Sequence, residues 1–276
     1  MKQFDWDQDK GMEMTVQSLG HDDPLAPVAS TARDRALALA EAEALAGRAP
    51  EAIRLLDDLA HRLSRFTPGN APVIADLDEL SEDGRNLVLQ VLGEGEVHGV
   101  VNGPEDVQIT ESVMPGLWLV QSDSRSMVEI NDVPGVLKQA AHDGLATDFD
   151  IPAAPDGAMN VMPVLHEVRE RIKTYQEGQA NHVISFTLLP MSESDMKHLK
   201  QVLGLGPLHV MSRGYGNCRI MATAVRNVWS VQYMNTMDTV ILDTLEIGGI
   251  PVSVCAARED FEDSGERLSE ILEAYL

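Results

Sequence analysis

Asn70–Gln121 reads NAPVIADLDELSEDGRNLVLQVLGEGEVHGVVNGPEDVQITESVMPGLWLVQ, and Asn181–Gln232 reads NHVISFTLLPMSESDMKHLKQVLGLGPLHVMSRGYGNCRIMATAVRNVWSVQ. Laid over each other at an offset of 111 without a gap, fifteen of the 52 positions are identical. Typical residue frequencies would give about three or four. The identities include Ser81/Ser192, the run Gln90–Gly93 against Gln201–Gly204, Gly95/Gly206, His98/His209, Gly103/Gly214 and Trp118/Trp229. Upstream, Leu56, Leu59, Arg62 and Leu63 match Leu165, Val168, Arg171 and Ile172. Downstream, Val128-Glu129-Ile130 matches Leu245-Glu246-Ile247. A period this long indicates a duplicated domain and not a solenoid, whose repeats run ~20–45 residues.

Each copy reads as a helix, a strand, a helix capped by serine and closed by glycine, then strands in runs joined by short turns. The fold expected is α+β: a tandem duplication of one unit, each a mainly antiparallel sheet with helices on one side. Ala, Leu and Glu dominate from Ser30 or Thr31 to Arg48, and a second helix continues to about Phe66, so a helical hairpin precedes the first sheet. Residues 1–29 are acidic and aperiodic and are expected to form a flexible tail. The expected division is tail 1–29, a degenerate first copy 30–147, a Pro/Ala/Gly linker 148–157, and the second copy 158–276.

The 276 residues carry 21 Lys and Arg against 44 Asp and Glu, a formal charge of −23. That balance repels nucleic acid and anionic membrane surfaces; it suits a basic partner, or solubility alone with no electrostatic partner. No apolar run reaches the ~18 residues of a membrane helix, and the acidic N-terminus has no apolar leader core. Two cysteines, Cys218 and Cys255, cannot make a disulfide framework, and the chain reads as cytoplasmic. They stand 37 residues apart among eight dispersed histidines, unlike the close-spaced patterns of zinc sites. No cofactor is expected.

The segment Arg213-Gly214-Tyr215-Gly216-Asn217-Cys218-Arg219 is the densest candidate site, because the first copy keeps only Gly103 of it. It lacks the third glycine and the helix of a dinucleotide cradle. As a nucleophile, Cys218 would need a base; His209 is one candidate, but its twin His98 persists in the copy without a cysteine, which reads as a structural histidine. Asp238, Asp243 and Glu246 form a second acidic feature. Asp243 alternates with Ile241 and Leu245, where a carboxylate needs a partner, expected to be Arg213, Arg219 or Arg226.

Ser212–Ile220 (SRGYGNCRI), then Asn227-Val228-Trp229, Gln232-Tyr233, Asp238 before Leu242, and Leu245-Glu246, resembles the HupH/HyaF family of hydrogenase expression/formation proteins. The resemblance is strong over about 160–276 and weaker over 50–147. It implies maturation of an uptake nickel–iron hydrogenase without catalysis. The role implied is that of a chaperone or scaffold for the small-subunit precursor during iron–sulfur cluster assembly, before twin-arginine export, in concert with other maturation proteins. The partner-binding residues expected are Arg213–Arg219 with Asp238, Asp243 and Glu246. The alternative is a thiol-dependent enzyme of the same pathway using Cys218. No CxxC pair is present, so autonomous electron transfer is not expected.

Overall fold

Among the described residues, alternating apolar and polar positions build ten strands, and every pairing among them is antiparallel. The computed structural model describes residues 46–214 and 216–273, within one compact unit spanning 42–276. The acidic segment 1–29, most of the helix expected up to Arg48, and Tyr215 lie outside the described residues. The first half contains α1 (Pro50–Leu63), β1 (Val73–Asp76), α2 (Glu82–Leu92), β2 (Val97–Val101), β3 (Val107–Glu111), β4 (Leu117–Gln121), β5 (Ser126–Ile130) and α3 (Gly135–Ala140). The second contains α4 (Val161–Thr174), β6 (His182–Ser185), α5 (Glu193–Leu203), β7 (Leu208–Ser212), β8 (Asn217–Ala222), β9 (Val228–Met234), β10 (Val240–Ile247), a 3-10 turn (Val252–Val254) and α6 (Asp260–Glu273).

The strand order β1-β5-β4-β3-β2-β7-β8-β9-β10-β6 is one five-strand order followed by its mirror image. The two half-sheets are continuous through β2 and β7, where Gly99 faces Val210. The duplication shows in bonds as well as in order. Trp118 Nε1 donates to the carbonyl of Asn131 at 2.8 Å, and Trp229 Nε1 to that of Gly248 at 3.4 Å. Gly95 N donates to Glu111 O, and Gly206 N to Ala222 O. A Cβ on Gly95 would collide with the carbonyl oxygen of Ser112, and one on Gly206 with that of Thr223, so both copies keep glycine. Ser81 Oγ caps α2 through Gly84 N, and Ser192 Oγ caps α5 through Asp195 N in a reciprocal capping box.

The offset of 111 holds from Ser81 to Gln121 and fails on either side of that stretch. Ala75 pairs with Val128 in β1–β5, and Ile184 pairs with Leu245 in β10–β6. Ala75 is therefore the counterpart of Ile184, an offset of 109. The loop 186–191 is two residues longer than 77–80, and the identity of Leu77 with Leu188 is accidental: the first is buried, the second 85% exposed.

Three cores follow from the pleat. Leu117 of β4 joins α1, α2 and α6 on one face, while Trp118 beside it joins the core of the opposite face. On the first face, α4 and α5 cover the second half-sheet. The opposite core runs across the β2–β7 seam and includes Val97, Ile109, Val210, Ile220 and both tryptophans, with Leu137 of α3 and Val254 of the 3-10 turn over it. Helices therefore stand on both faces, long ones on one and the short α3 on the other, because the tryptophan face is itself apolar and has to be covered.

Each half ends on the other's core. Phe261, Leu268 and Leu272 of α6 pack with Leu56, Leu59 and Leu63 of α1, and the rings of Phe66 and Phe261 lie 5.1 Å apart. Gly116, at φ +84°, leaves room for the Phe261 ring that a Cβ would strike. Conversely Phe149 and Ile151, inside the stretch read as a linker, pack on the core of α4 and α5. Ala146 N donates to Ala224 O at 2.9 Å, and Arg226 N to Ala146 O at 2.8 Å.

Candidate functional site

The loop between β7 and β8 leaves the sheet at Ser212 and returns at Asn217. Arg213 N donates to the carbonyl of Glu96, and the Glu96 carboxylate lies where a Cβ on Gly214 would stand. Gly214 thus admits a side chain from the first half, and Gly216 turns the chain back at φ +97°. Arg219, on β8, is exposed and points away from the core. Arg213 is exposed, and Asn217 Nδ2 donates to Asp238 at 3.4 Å. Arg213, Gly214, Gly216, Asn217 and Asp238 therefore share one end of the second half-sheet.

Cys218 faces inward. It pairs with Ser212 on β7 and Tyr233 on β9 and is 2% exposed. Ser212, Gly216, Cys218, Tyr233, Val252 and Ser253 line a cavity of about 240 Å³. Burial pushes the Cys218 thiol up, against the hydroxyls of Ser253 and Tyr233, which pull it down. Burial likewise drives Cys255 up to about 11. Neither thiol has the depressed pKa of an activated nucleophile. His209 stands three residues along β7 from Ser212, the cross-strand partner of Cys218, so it projects from the opposite face and is no base for it.

The three carboxylates find amides, Asp243 among them, for which an arginine was expected. Asp243 accepts from Gln232 Nε2 at 3.3 Å on the helix-covered face, and burial raises its pKa. Glu246 accepts from Asn181 Nδ2 at 3.0 Å. Its counterpart Glu129 accepts from Asn131 Nδ2 and Gly135 N, both at 2.8 Å, so this carboxylate belongs to the shared scaffold. The pleat separates Asp243 from Glu246, and only Asp238 joins the loop. Among the described residues, no group of three or more His, Cys, Asp or Glu is placed to hold a metal ion.

Sequence reasoning missed Glu96 and Ser253 and named Tyr233 only within the family resemblance; all three reach the loop or the cavity beneath it from other elements. The six extra residues between Gln232 and Leu245 are readable by comparing the copies for length, whereas the ungapped match of Leu77 with Leu188 hides the two-residue difference in the loop 186–191.

The family profile described as HupH hydrogenase expression protein, C-terminal conserved region, matches this chain twice, at residues 50–147 and 158–275. The hydrogenase expression/formation protein HupH of Rhizobium leguminosarum bv. viciae is 43% identical over 274 residues, covering 96% of this chain and 95% of that protein. HoxQ of Cupriavidus necator, also a hydrogenase expression/formation protein, is 40% identical over 80% of each chain. The hydrogenase-1 operon protein HyaF of Escherichia coli is 36% identical over 80% of each. With both halves matched by one profile and near full-length identity to such relatives, the chain belongs to the HupH family of hydrogenase expression proteins.

Proposed function

We propose that this protein is an accessory scaffold in nickel–iron hydrogenase maturation. It holds the small-subunit precursor in the cytoplasm while iron–sulfur clusters are inserted, and it is not itself an enzyme. A maturation role rests on the relatives, all hydrogenase expression/formation or operon proteins. The holding role rests chiefly on one observation. In the most distinctive run of the second half, Arg213, Gly214, Gly216 and Arg219 form an exposed rim around a buried cysteine whose thiol is pushed up. Such a rim presents donors and backbone to a macromolecule and offers no activated group. The precursor meets Arg213, Gly214, Tyr215, Gly216, Asn217 and Arg219 with Asp238. Cys218, Asp243 and Glu246 support them from within the sheet. The segment 148–157 joins two functional halves, of which the second, 158–276, carries the rim.

The test is retention of purified small-subunit precursor by the immobilised full chain. Arg213→Ala is expected to cut retention several-fold with little change in thermal midpoint, since its side chain lies in solvent. Cys218→Ser is expected to retain the precursor, since a buried, unactivated thiol contributes packing and no chemistry. If Cys218→Ser folds normally yet abolishes maturation, the thiol-dependent enzyme reading replaces this one.

A further inference from the structure

Two length differences between the halves meet at one corner. The loop 186–191 between β6 and α5 is two residues longer than its counterpart 77–80. The β9–β10 hairpin holds six more residues between Gln232 and Leu245 than lie between Gln121 and Val128. Its strands have 7 and 8 residues, against 5 and 5 in β4 and β5. The two additions touch: Phe186 N donates to Asp243 O at 2.9 Å, and Asp243 N donates to Thr187 Oγ1 at 3.3 Å.

Both additions place apolar side chains in solvent. Leu188 is 85% exposed, Met237 82% and Ile241 60%. Scattered apolar side chains are ordinary, but these share one corner that the duplicate half lacks. The backbone there is also open. β6 ends at Ser185, opposite Thr244, while β10 begins at Val240. Among the described residues, no strand runs along the outer side of Val240–Leu242. The pairing with β9 shifts register between Val240 and Leu242, and Ile241 is the extra residue. Exposed edges are commonly guarded by lysine or proline. The stretch Asn235–Leu245 contains neither. Asp238 lies beside it, on a chain of charge −23.

We propose that the edge of β10 at Val240–Leu242 captures an extended, basic and apolar strand of a partner by strand addition, with Leu188, Met237 and Ile241 gripping its alternate side chains. Main-chain bonds supply the affinity and the three apolar groups the register. The acidic surroundings favour lysine or arginine in the incoming strand and discourage a second copy of this acidic chain. The surface rests on strand geometry; only the identity of its natural occupant rests on the maturation reading above.

The test uses the full chain and a short alternating Lys-Val peptide, with two controls. One control is N-methylated at alternate residues, which removes donors and leaves charge and side chains unchanged; the other replaces Lys by Glu. The Lys-Val peptide is expected to slow amide exchange at Val240–Leu242. Both controls are expected to bind about tenfold or more weakly, a difference of about 1.4 kcal/mol. Ile241→Asp is expected to lose the same factor, while Ile74→Asp on the β1 edge binds as the unaltered chain does. Equal binding of plain and N-methylated peptides, or undiminished binding by Ile241→Asp, would mean charge adsorption and overturn the proposal. Capture of the peptide without retention of the small-subunit precursor would uphold the edge and remove that partner.

Discussion

Asp195 is fully buried, yet it stays charged. Its Oδ1 accepts from the backbone N–H groups of Met159, Asn160 and Val161 at 2.8, 3.2 and 3.0 Å, and Oδ2 from Ser192 N at 2.8 Å. Burial pushes its pKa up, but the N–H groups of Ser192, Met159 and Val161 outweigh it and hold the carboxyl down at about 2. Its stabilisation is therefore present above its ordinary value of 3.8 and is lost as pH falls toward about 2. Asp195→Ala would orphan buried donors at the start of both α4 and α5. A cost of about 3 kcal/mol in denaturant unfolding at neutral pH is expected. Glu111 runs the other way. Burial raises it to about 7 against one bond from Gly116 N, with Glu96 and Asp260 adding repulsion. Its contribution is full below its ordinary value of 4.5 and is lost as pH rises through about 7. Glu111→Gln keeps an acceptor for Gly116, so it is expected to raise stability at pH 8 on the order of 2–3 kcal/mol. That gain should vanish as pH falls below 4.5, where Glu111 is neutral in the unfolded chain as well. Neither role was legible in the sequence. Asp195 reads as a cap residue at the third helical position, and nothing local says it also holds α4. Glu111 reads as a polar end to a strand.

The elements were legible where geometry forces a residue type. Gly95 and Gly206 face a carbonyl, Ser81 and Ser192 cap helices, and the two tryptophans each reach a carbonyl past β5 or β10; all survive in both copies and so could be found by comparison. The cover of each element was not legible. The apolar stripe of α6 states that one face is buried and not which sheet buries it, and in the structure it is the far half's core. The same limit made Leu188 look like a match for Leu77, since identity carries no record of a two-residue loop difference. The crossing of α6 predicts an unusual mutational response. Leu268→Ala, in the last helix of the chain, is expected to cost about 2–5 kcal/mol. Hydrogen exchange should rise first in α1, at Pro50–Leu63, before α4 responds. Equal or earlier exchange in α4 would mean that α6 contributes to the two halves alike.

At the scale of the whole molecule the duplication was legible and the seam was not. A strand with one free edge and a strand with a neighbour on each side share the same alternation, so β2 and β7 gave no sign that the half-sheets would join there. Charge also acts at this scale. A field from 44 acids against 21 bases favours encounter with a basic segment. Association with the small-subunit precursor is expected to slow several-fold between low salt and ~0.5 M, where the Debye length falls to roughly 4 Å. Deleting residues 1–29 should flatten that salt dependence, and an association rate unchanged from low to high salt would assign binding to apolar contacts alone. The exchange of end segments has a consequence in time. A chain emerging from the ribosome delivers α1, α2 and β1–β5 well before Phe261, Leu268 and Leu272, so the first half waits with its core uncovered until α6 emerges. At ~5–20 residues per second, the roughly 130 residues between Ile130 and Phe261 mean a delay of about 6–26 seconds, during which the nascent first half keeps that apolar face unburied.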